Sequence, residues 1–267
     1  MSDAPLPEPD APLPPRSVLL WSIPAAAIFL TRVPLGGWPY RPAEWHWCTA
    51  HFPLIGAAVG LFTGAVFALL LPIGAWPAAL MAIGFSMILT GCFHEDGLAD
   101  TADALGGGYT PEKVFEILKD SRVGSFGAAA LVVSITARAA LLASLGTQAP
   151  WLMALVGAGA RLPPVWQLAL LPYATPQASR SRDVARCRPL QAWVATGWWL
   201  LVGLAVAAGV GLHPGRIAAM VAAMLLLGLL LAHVYRRRVG GVTGDFLGAT
   251  EQAGEIALLA VLTYQLP

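Results

Sequence analysis

The strongest constraint on this chain is a series of nearly uncharged apolar runs, each long enough to cross a lipid bilayer. HFPLIGAAVGLFTGAVFALLLPIG covers 51–74, WPAALMAIGFSMILTGCF covers 76–93, SFGAAALVVSITARAALLASLG covers 125–146 and PWLMALVGAGARLPPVWQLALLPY covers 150–173; two more run over 191–212 and 215–235. A spanning helix needs roughly 20 consecutive apolar residues, so each of these reads as a span. VLLWSIPAAAIFL (18–30) is short and interrupted by Pro24, which suits a re-entrant or interfacial helix, and AGEIALLAVLTYQLP (253–267) is marginal for a full crossing. The expectation is an all-α, polytopic integral membrane protein with about 6–8 transmembrane helices.

Composition agrees. The chain is 57% hydrophobic and only 12% charged, against about 25% charged residues in ordinary soluble domains. A net charge of +1 gives no basic field for nucleic acid. Cys48, Cys92 and Cys187 are scattered, with neither metal spacing nor a disulfide framework, and read as free thiols. The opening MSDAPLPEPDAPLPPRS (1–17) is Pro-rich and acidic and lacks the basic start of a signal peptide. It reads as a disordered cytoplasmic tail, leaving 18–267 as one transmembrane domain.

Charge placement sets the sidedness. The connections near 75, 148 and 213 are tight and almost uncharged, whereas 94–124, 174–190 and 236–252 are long and polar. Threading the spans puts the long connections, together with 31–50, on one side. Of the 16 lysines and arginines, all but Arg16, Arg138, Arg161 and Arg216 fall in those polar segments. The positive-inside rule makes that side cytoplasmic. Arg138 and Arg161 lie inside apolar runs, where a charge is costly. Each is either a packing or snorkelling arginine or one that faces a polar cavity and receives phosphate.

Three polar stretches carry chemistry. In GCFHEDGLADTADALGGG (91–108), a helix continuing from the preceding span to residue 105 and stopping at Gly106–Gly108 places Asp96, Asp100 and Asp103 at i, i+4 and i+7 on one face. Like charges at that spacing repel, and a divalent cation between them removes the repulsion. Carboxylate oxygens suit Mg²⁺ or Mn²⁺. Glu95 points about 100° away from Asp96, off that face. A solvated acidic helix end is the alternative, but Leu98, Ala99, Ala102, Ala104 and Leu105 keep the rest of that helix apolar. In ILKDSRVGSFG (117–127), Asp120 and Arg122 precede a span; they form either a structural ion pair or a phosphate site at a helix start. In RRRVGGVTGDFLGATEQAGE (236–255), Asp245, Glu251 and Glu255 follow flexible glycines and a basic run that also serves as a positive-inside anchor. Acids, glycines and basic residues gathered on one face suit metal-assisted phosphoryl or nucleotidyl transfer.

These residues also carry a resemblance. FLTRVP (29–34), FPLIGAAVG (52–60), GCFHEDGLADTADAL (91–105), ILKDSRVGSFGAAAL (117–131) and GGVTGDFLGATEQAGEIALL (240–259) resemble, in order and separation, the cobalamin synthase (adenosylcobinamide-GDP ribazoletransferase) family. The resemblance covers most of 18–267. It implies a multi-pass enzyme of the bacterial inner membrane with its active face in the cytoplasm. The implied partners are the lipid bilayer, adenosylcobinamide-GDP and α-ribazole or its 5′-phosphate. The products are adenosylcobalamin or its 5′-phosphate and GMP, with Mg²⁺ required. A homo-oligomer is compatible with it.

Carried onto matching positions, the resemblance makes Asp96, Asp100 and Asp103, with Glu95 beside them, the metal-binding acids. Asp120, Arg122 and Asp245 fall in the other family motifs; Asp103, Asp245 and Arg122 are the catalytic candidates, and Asp120 and Glu251, with Arg138 and Arg161 read from their place inside apolar runs, are the substrate-binding ones. The chain departs from the family pattern after Ala174, where it reads TPQASRSRDVARCRPL, and at Arg138, where the family often has lysine. Two other classes compete. A CDP-alcohol phosphotransferase wants arginine where Asp100 stands. A transporter with a midplane ion site wants acids at mid-span and an internal repeat.

Overall fold

The computed structural model describes residues 15–36, 40–174 and 187–264. The Pro-rich tail (residues 1–14 of it) and the segment carrying Arg180, Arg182 and Arg186 lie outside the described residues. In chain order the helices are α1 (Arg16–Leu30), α2 (Pro42–Trp47), α3 (Phe52–Leu70), α4 (Ala75–Thr90), α5 (Phe93–Gly107), α6 (Pro111–Ile117), α7 (Ser125–Ala143), α8 (Ala149–Ala160), α9 (Leu162–Leu170), α10 (Pro189–Val210), α11 (Pro214–Val239) and α12 (Gly244–Thr263). Among the described residues there is no strand. One isolated parallel bridge joins Tyr173 to Val242. The protein is all-α and polytopic.

The helix starts follow local chemistry. Proline occupies the first turn of α2, α3, α6, α10 and α11, where its missing N–H costs nothing and its fixed φ suits the helix. Thr110 and Thr243 cap α6 and α12, their hydroxyls accepting from the N–H groups of Lys113 and Phe246 at 3.3 Å.

By length and composition, four stretches can cross a membrane: Pro42–Ile73, Ser125–Ala143, Pro189–Val210 and Pro214–Val239; a bent pair, α4 with α5, makes a fifth if counted as one span. Two runs that read as single spans are therefore interrupted. The run 76–93 does not continue as a helix through residue 105. Gly91 (φ 68°) and Cys92 (φ 59°) both adopt the left-handed conformation, and α5 leaves α4 at 93°. For Cys92 that conformation costs about 1–2 kcal/mol, so the bend is imposed by tertiary packing. The run 150–173 divides at Arg161, because Pro163 and Pro164 cannot donate to the preceding turn.

The α3–α8 crossing is built on glycine. Gly56, Gly60 and Gly64 stand four residues apart on α3, and a Cβ at these positions would strike the backbone of Gly157, Met153 and Ala149 on α8. Small residues at this spacing let helix backbones touch inside a bilayer. Gly60→Ala is expected to destabilise the protein by about 1–3 kcal/mol through overpacking, read as a lower unfolding midpoint in mild detergent.

The lipid-facing sides are plain. Leu225, Leu226, Leu229 and Leu230 of α11 and Val132 and Val133 of α7 are all exposed. In contrast, α12 is the central helix. Phe246, Gly248, Thr250, Glu251, Gln252, Glu255, Leu258 and Leu259 are all buried, so its polar residues face protein rather than lipid. That is why its composition looks marginal for a span.

The polar segments meet at one end. The Val242 N–H donates to Pro172 O at 2.9 Å and the Ala174 N–H donates to Val242 O at 2.8 Å, while the Arg32 N–H donates to Leu89 O at 2.8 Å. The Arg238 guanidinium donates to the carbonyls of Leu105 and Gly108, capping the C-terminus of α5. The tight turns at the other ends join α3 to α4, α7 to α8 and α10 to α11.

Candidate functional site

The site begins where α5 crosses the start of α12. A Cβ on Gly97 would lie 2.9 Å from Asp245 O and 3.3 Å from Gly248 Cα. The two backbones are therefore in contact, and larger residues would part them. This crossing brings the acidic face of α5 onto the first turn of α12, at the polar end. Within α5, Asp96, Asp100 and Asp103 keep the i, i+4, i+7 spacing, because the bend at residues 91 and 92 precedes them. With four acids in 15 residues, α5 is a polar helix at the mouth of the bundle rather than a spanning segment.

Asp100 is the centre of the negative field. Burial first, and then the carboxylates of Asp96, Asp245 and Asp103, push its carboxyl up to about 6. Burial and the charge of Asp96 also raise the Asp245 carboxyl. Carboxylates that disturb one another in this way are the arrangement a divalent cation would stabilise. Among the described residues, though, no group of three or more His, Cys, Asp or Glu side chains is arranged to hold a metal ion by itself. The residues fit a hydrated Mg²⁺ held through one or two carboxylates, with water and phosphate oxygens completing its shell; they do not form a closed protein cage.

Two of the expected metal ligands have other partners. Asp103 accepts the Gly124 N–H at 2.7 Å on one oxygen and the Gly127 N–H at 2.9 Å on the other. It caps α7 and ties the loop before it to α5. Glu95 points away from the aspartate face, as the helical rotation requires, and pairs with Arg138 at 3.0 Å.

That pair opens onto a buried network just inside the site. Arg138 bridges Glu95 at 3.0 Å and Glu255 at 3.1 Å. Arg161, at the α8–α9 break, meets Glu251 at 2.8 Å and Glu255 at 3.5 Å and donates to Gly157 O at 2.9 Å. Gln252 donates to Glu251 at 3.0 Å and accepts from the Ser134 hydroxyl at 3.1 Å. His94 Nδ1 stands 3.8 Å from Glu251. Arg138 and Arg161 are 2% and 3% exposed. Neither guanidinium reaches an open surface, so the expectation that they contact phosphate meets an arrangement in which carboxylates hold both.

Asp120 and Arg122 lie outside this interior. Arg122 donates to both carboxylate oxygens of Asp120, at 2.9 and 2.6 Å. Those hydrogen bonds hold the Asp120 carboxyl down at about 2. The pair is exposed on the loop that Asp103 anchors, where Arg122 is accessible to an anionic ligand.

Sequence reasoning missed several participants. Gln252, Ser134 and His94 belong to the network, and Arg238 caps the acidic helix; Glu255, singled out in the sequence beside Glu251, is given no partner there. The available signal was the Glu251/Glu255 pair at i, i+4 on an otherwise apolar helix, in a chain with two arginines inside its apolar runs. Arg32, whose stem lies over Gly91 at the α4–α5 bend, is an exposed cation at the same end. A separate cavity of about 600 Å³ between α3, α8 and α10 is lined by residues such as Leu54, Leu61, Trp151 and Val206, and no ionisable side chain lines it.

Comparison with known proteins adds to this geometry. The model of a family described as cobalamin-5-phosphate synthase matches residues 22–263. The adenosylcobinamide-GDP ribazoletransferase of Leptothrix cholodnii is 41% identical, over 86% of this chain and 89% of the relative. Relatives of the same name from Bradyrhizobium diazoefficiens and Polaromonas naphthalenivorans are 37% and 38% identical, over 88% and 90% of this chain and 90% and 96% of theirs. No solved structure matches the chain.

Proposed function

The chain belongs to the cobalamin-5-phosphate synthase family, and from that membership we propose that it transfers the cobinamide phosphate of adenosylcobinamide-GDP to α-ribazole or α-ribazole 5′-phosphate, releasing GMP. The observation that carries the reading is the crossing of α5 and α12, which faces Asp96 and Asp100 with Asp245 at the polar end of the bundle. Such a surface suits a pyrophosphate that arrives with its own divalent cation.

The ribazole 3′-hydroxyl attacks the phosphorus next to the cobinamide side chain. A new O–P bond forms, the bond from that phosphorus to the bridging oxygen breaks, and GMP carries the bridging oxygen away. Asp245 takes the hydroxyl proton. Its raised carboxyl makes it a stronger base than an ordinary aspartate, and the oxygens of Asp103 are engaged by backbone N–H groups. Asp96 and Asp100 would hold Mg²⁺, which when bound neutralises charge on the pyrophosphate and the departing GMP. Arg122 offers an accessible guanidinium to a phosphate oxygen. Residues 18–267 act as one catalytic domain in a bacterial inner membrane, with the acidic face in the cytoplasm. That orientation follows from the lysines and arginines gathered at the same end.

The test is direct. Protein purified in mild detergent and given adenosylcobinamide-GDP, α-ribazole 5′-phosphate and Mg²⁺ should yield adenosylcobalamin 5′-phosphate and GMP by mass spectrometry, and none with EDTA. Absence of product beside an active relative overturns the proposal. Product that persists in EDTA overturns the metal role alone.

A further inference from the structure

A cluster of like charges does not hold itself together, and the structure shows what opposes the repulsion between α5 and α12. The two helices touch through Gly97 and Gly248. Their aspartates face each other near that contact and push apart. Just before Asp96 on α5 stands Glu95, and further along α12 comes Glu255. Both would add to the repulsion if left alone. Instead one side chain from a third helix takes both: Arg138 of α7 gives Nη2 to Glu95 and Nη1 to Glu255. Its neighbour one turn earlier, Ser134, reaches α12 through Gln252, which also lies 3.4 Å from Glu95.

We infer that Arg138 is a positioning residue: its guanidinium clamps α5 to α12 and thereby sets the separation of Asp96 and Asp100 from Asp245. The inference rests on the functional reading above, but concerns geometry that can be measured without turnover. Arginine suits the task because its planar fork has separate donors for two carboxylates, whereas a lysine ammonium is a single point charge. The guanidinium is nine-tenths and more buried, so its pairs act in a low-dielectric interior. Removing it alone would leave Glu95 without a counter-charge and Glu255 with only the longer contact to Arg161, and would destabilise the protein for reasons unrelated to the site. A fair test removes one charge of each sign.

Arg138→Met combined with Glu95→Gln keeps the balance of buried charge while abolishing the bridge. Mn²⁺ binding would be titrated by electron paramagnetic resonance in the presence of GDP, alongside the detergent unfolding midpoint and the steady-state constants. The expected result is a folded double variant that binds Mn²⁺ about 10- to 100-fold more weakly, the scale of losing a supporting contact behind metal ligands. The KM for adenosylcobinamide-GDP should stay near the wild-type value, and excess Mg²⁺ should restore much of kcat. A folded double variant with wild-type Mn²⁺ affinity overturns the clamp. If the double variant does not fold, Arg138→Gln combined with Glu95→Gln serves in its place. Weakened Mn²⁺ binding in that folded variant supports the clamp, and wild-type binding overturns it. Absence of any Mn²⁺ site in a wild-type protein that transfers phosphate would overturn the metal reading, and the clamp with it. A wild-type protein that binds Mn²⁺ with the expected sensitivity to Arg138 but transfers nothing leaves the clamp standing and removes only the proposed reaction.

Discussion

Asp100→Ala should reduce transfer about 10²- to 10³-fold, the loss typical of removing one element from a preorganised electrostatic site, and should raise the Mg²⁺ concentration needed for half-maximal rate. Asp100 is chosen because the other carboxylates converge on it. Asp96, Asp103 and Asp245 all act on its carboxyl, while Asp103 is engaged by backbone N–H groups and Glu95 by Arg138. Removing a repelling, half-buried acid relieves strain in the absence of metal, so the variant should be at least as stable as the wild type. A lost rate with retained or raised stability marks a residue kept for function. Transfer within tenfold of wild type, with an unchanged Mg²⁺ requirement, would move the metal away from the α5 face.

The membrane class, the acidic helix and the gathering of polar segments at one end were legible in the sequence, because each is a local pattern of length, period or charge. Asp96, Asp100 and Asp103 share a face by helical spacing alone, and Glu95 leaves that face by the same arithmetic. What was not legible depends on contacts between distant segments. Cys92 carries no mark of a left-handed residue; the bend there is imposed by the packing of α5 against α7 and α12. Residues 150–173 look like one apolar run, and composition gives no weight to the Leu162-Pro163-Pro164 sequence that ends α8 at Arg161. The partners of Arg138 lie on α5 and α12, far from it in the chain. An in-span arginine announces that a partner exists without saying which one. The same limit applies to Asp103, whose spacing suits a metal ligand and whose observed partners are the start of another helix.

Arg161 allows the sharpest separation between what the residue types suggested and what the fold makes of them. If it received phosphate, Arg161→Met would fold normally and raise KM. The structure leads to the opposite expectation. The Arg161 stem lies against Gly56, where a Cβ would collide with it, and its guanidinium is the partner of Glu251 and the second partner of Glu255. Methionine retains much of the apolar stem but leaves Glu251 buried without a counter-charge. Breaking a buried pair in this way costs about 3–5 kcal/mol, enough to lower the unfolding midpoint in detergent sharply and to reduce the yield of folded protein. Adding Glu251→Gln removes the orphaned charge along with its partner, so the double variant should recover much of the lost stability. A neutral pair of similar volume is often as stable as the buried ion pair it replaces. A single variant with wild-type stability and a raised KM would show that carboxylates do not hold Arg161 in the working enzyme. A double variant no more stable than the single would show that the cost lies in packing against α3 rather than in charge.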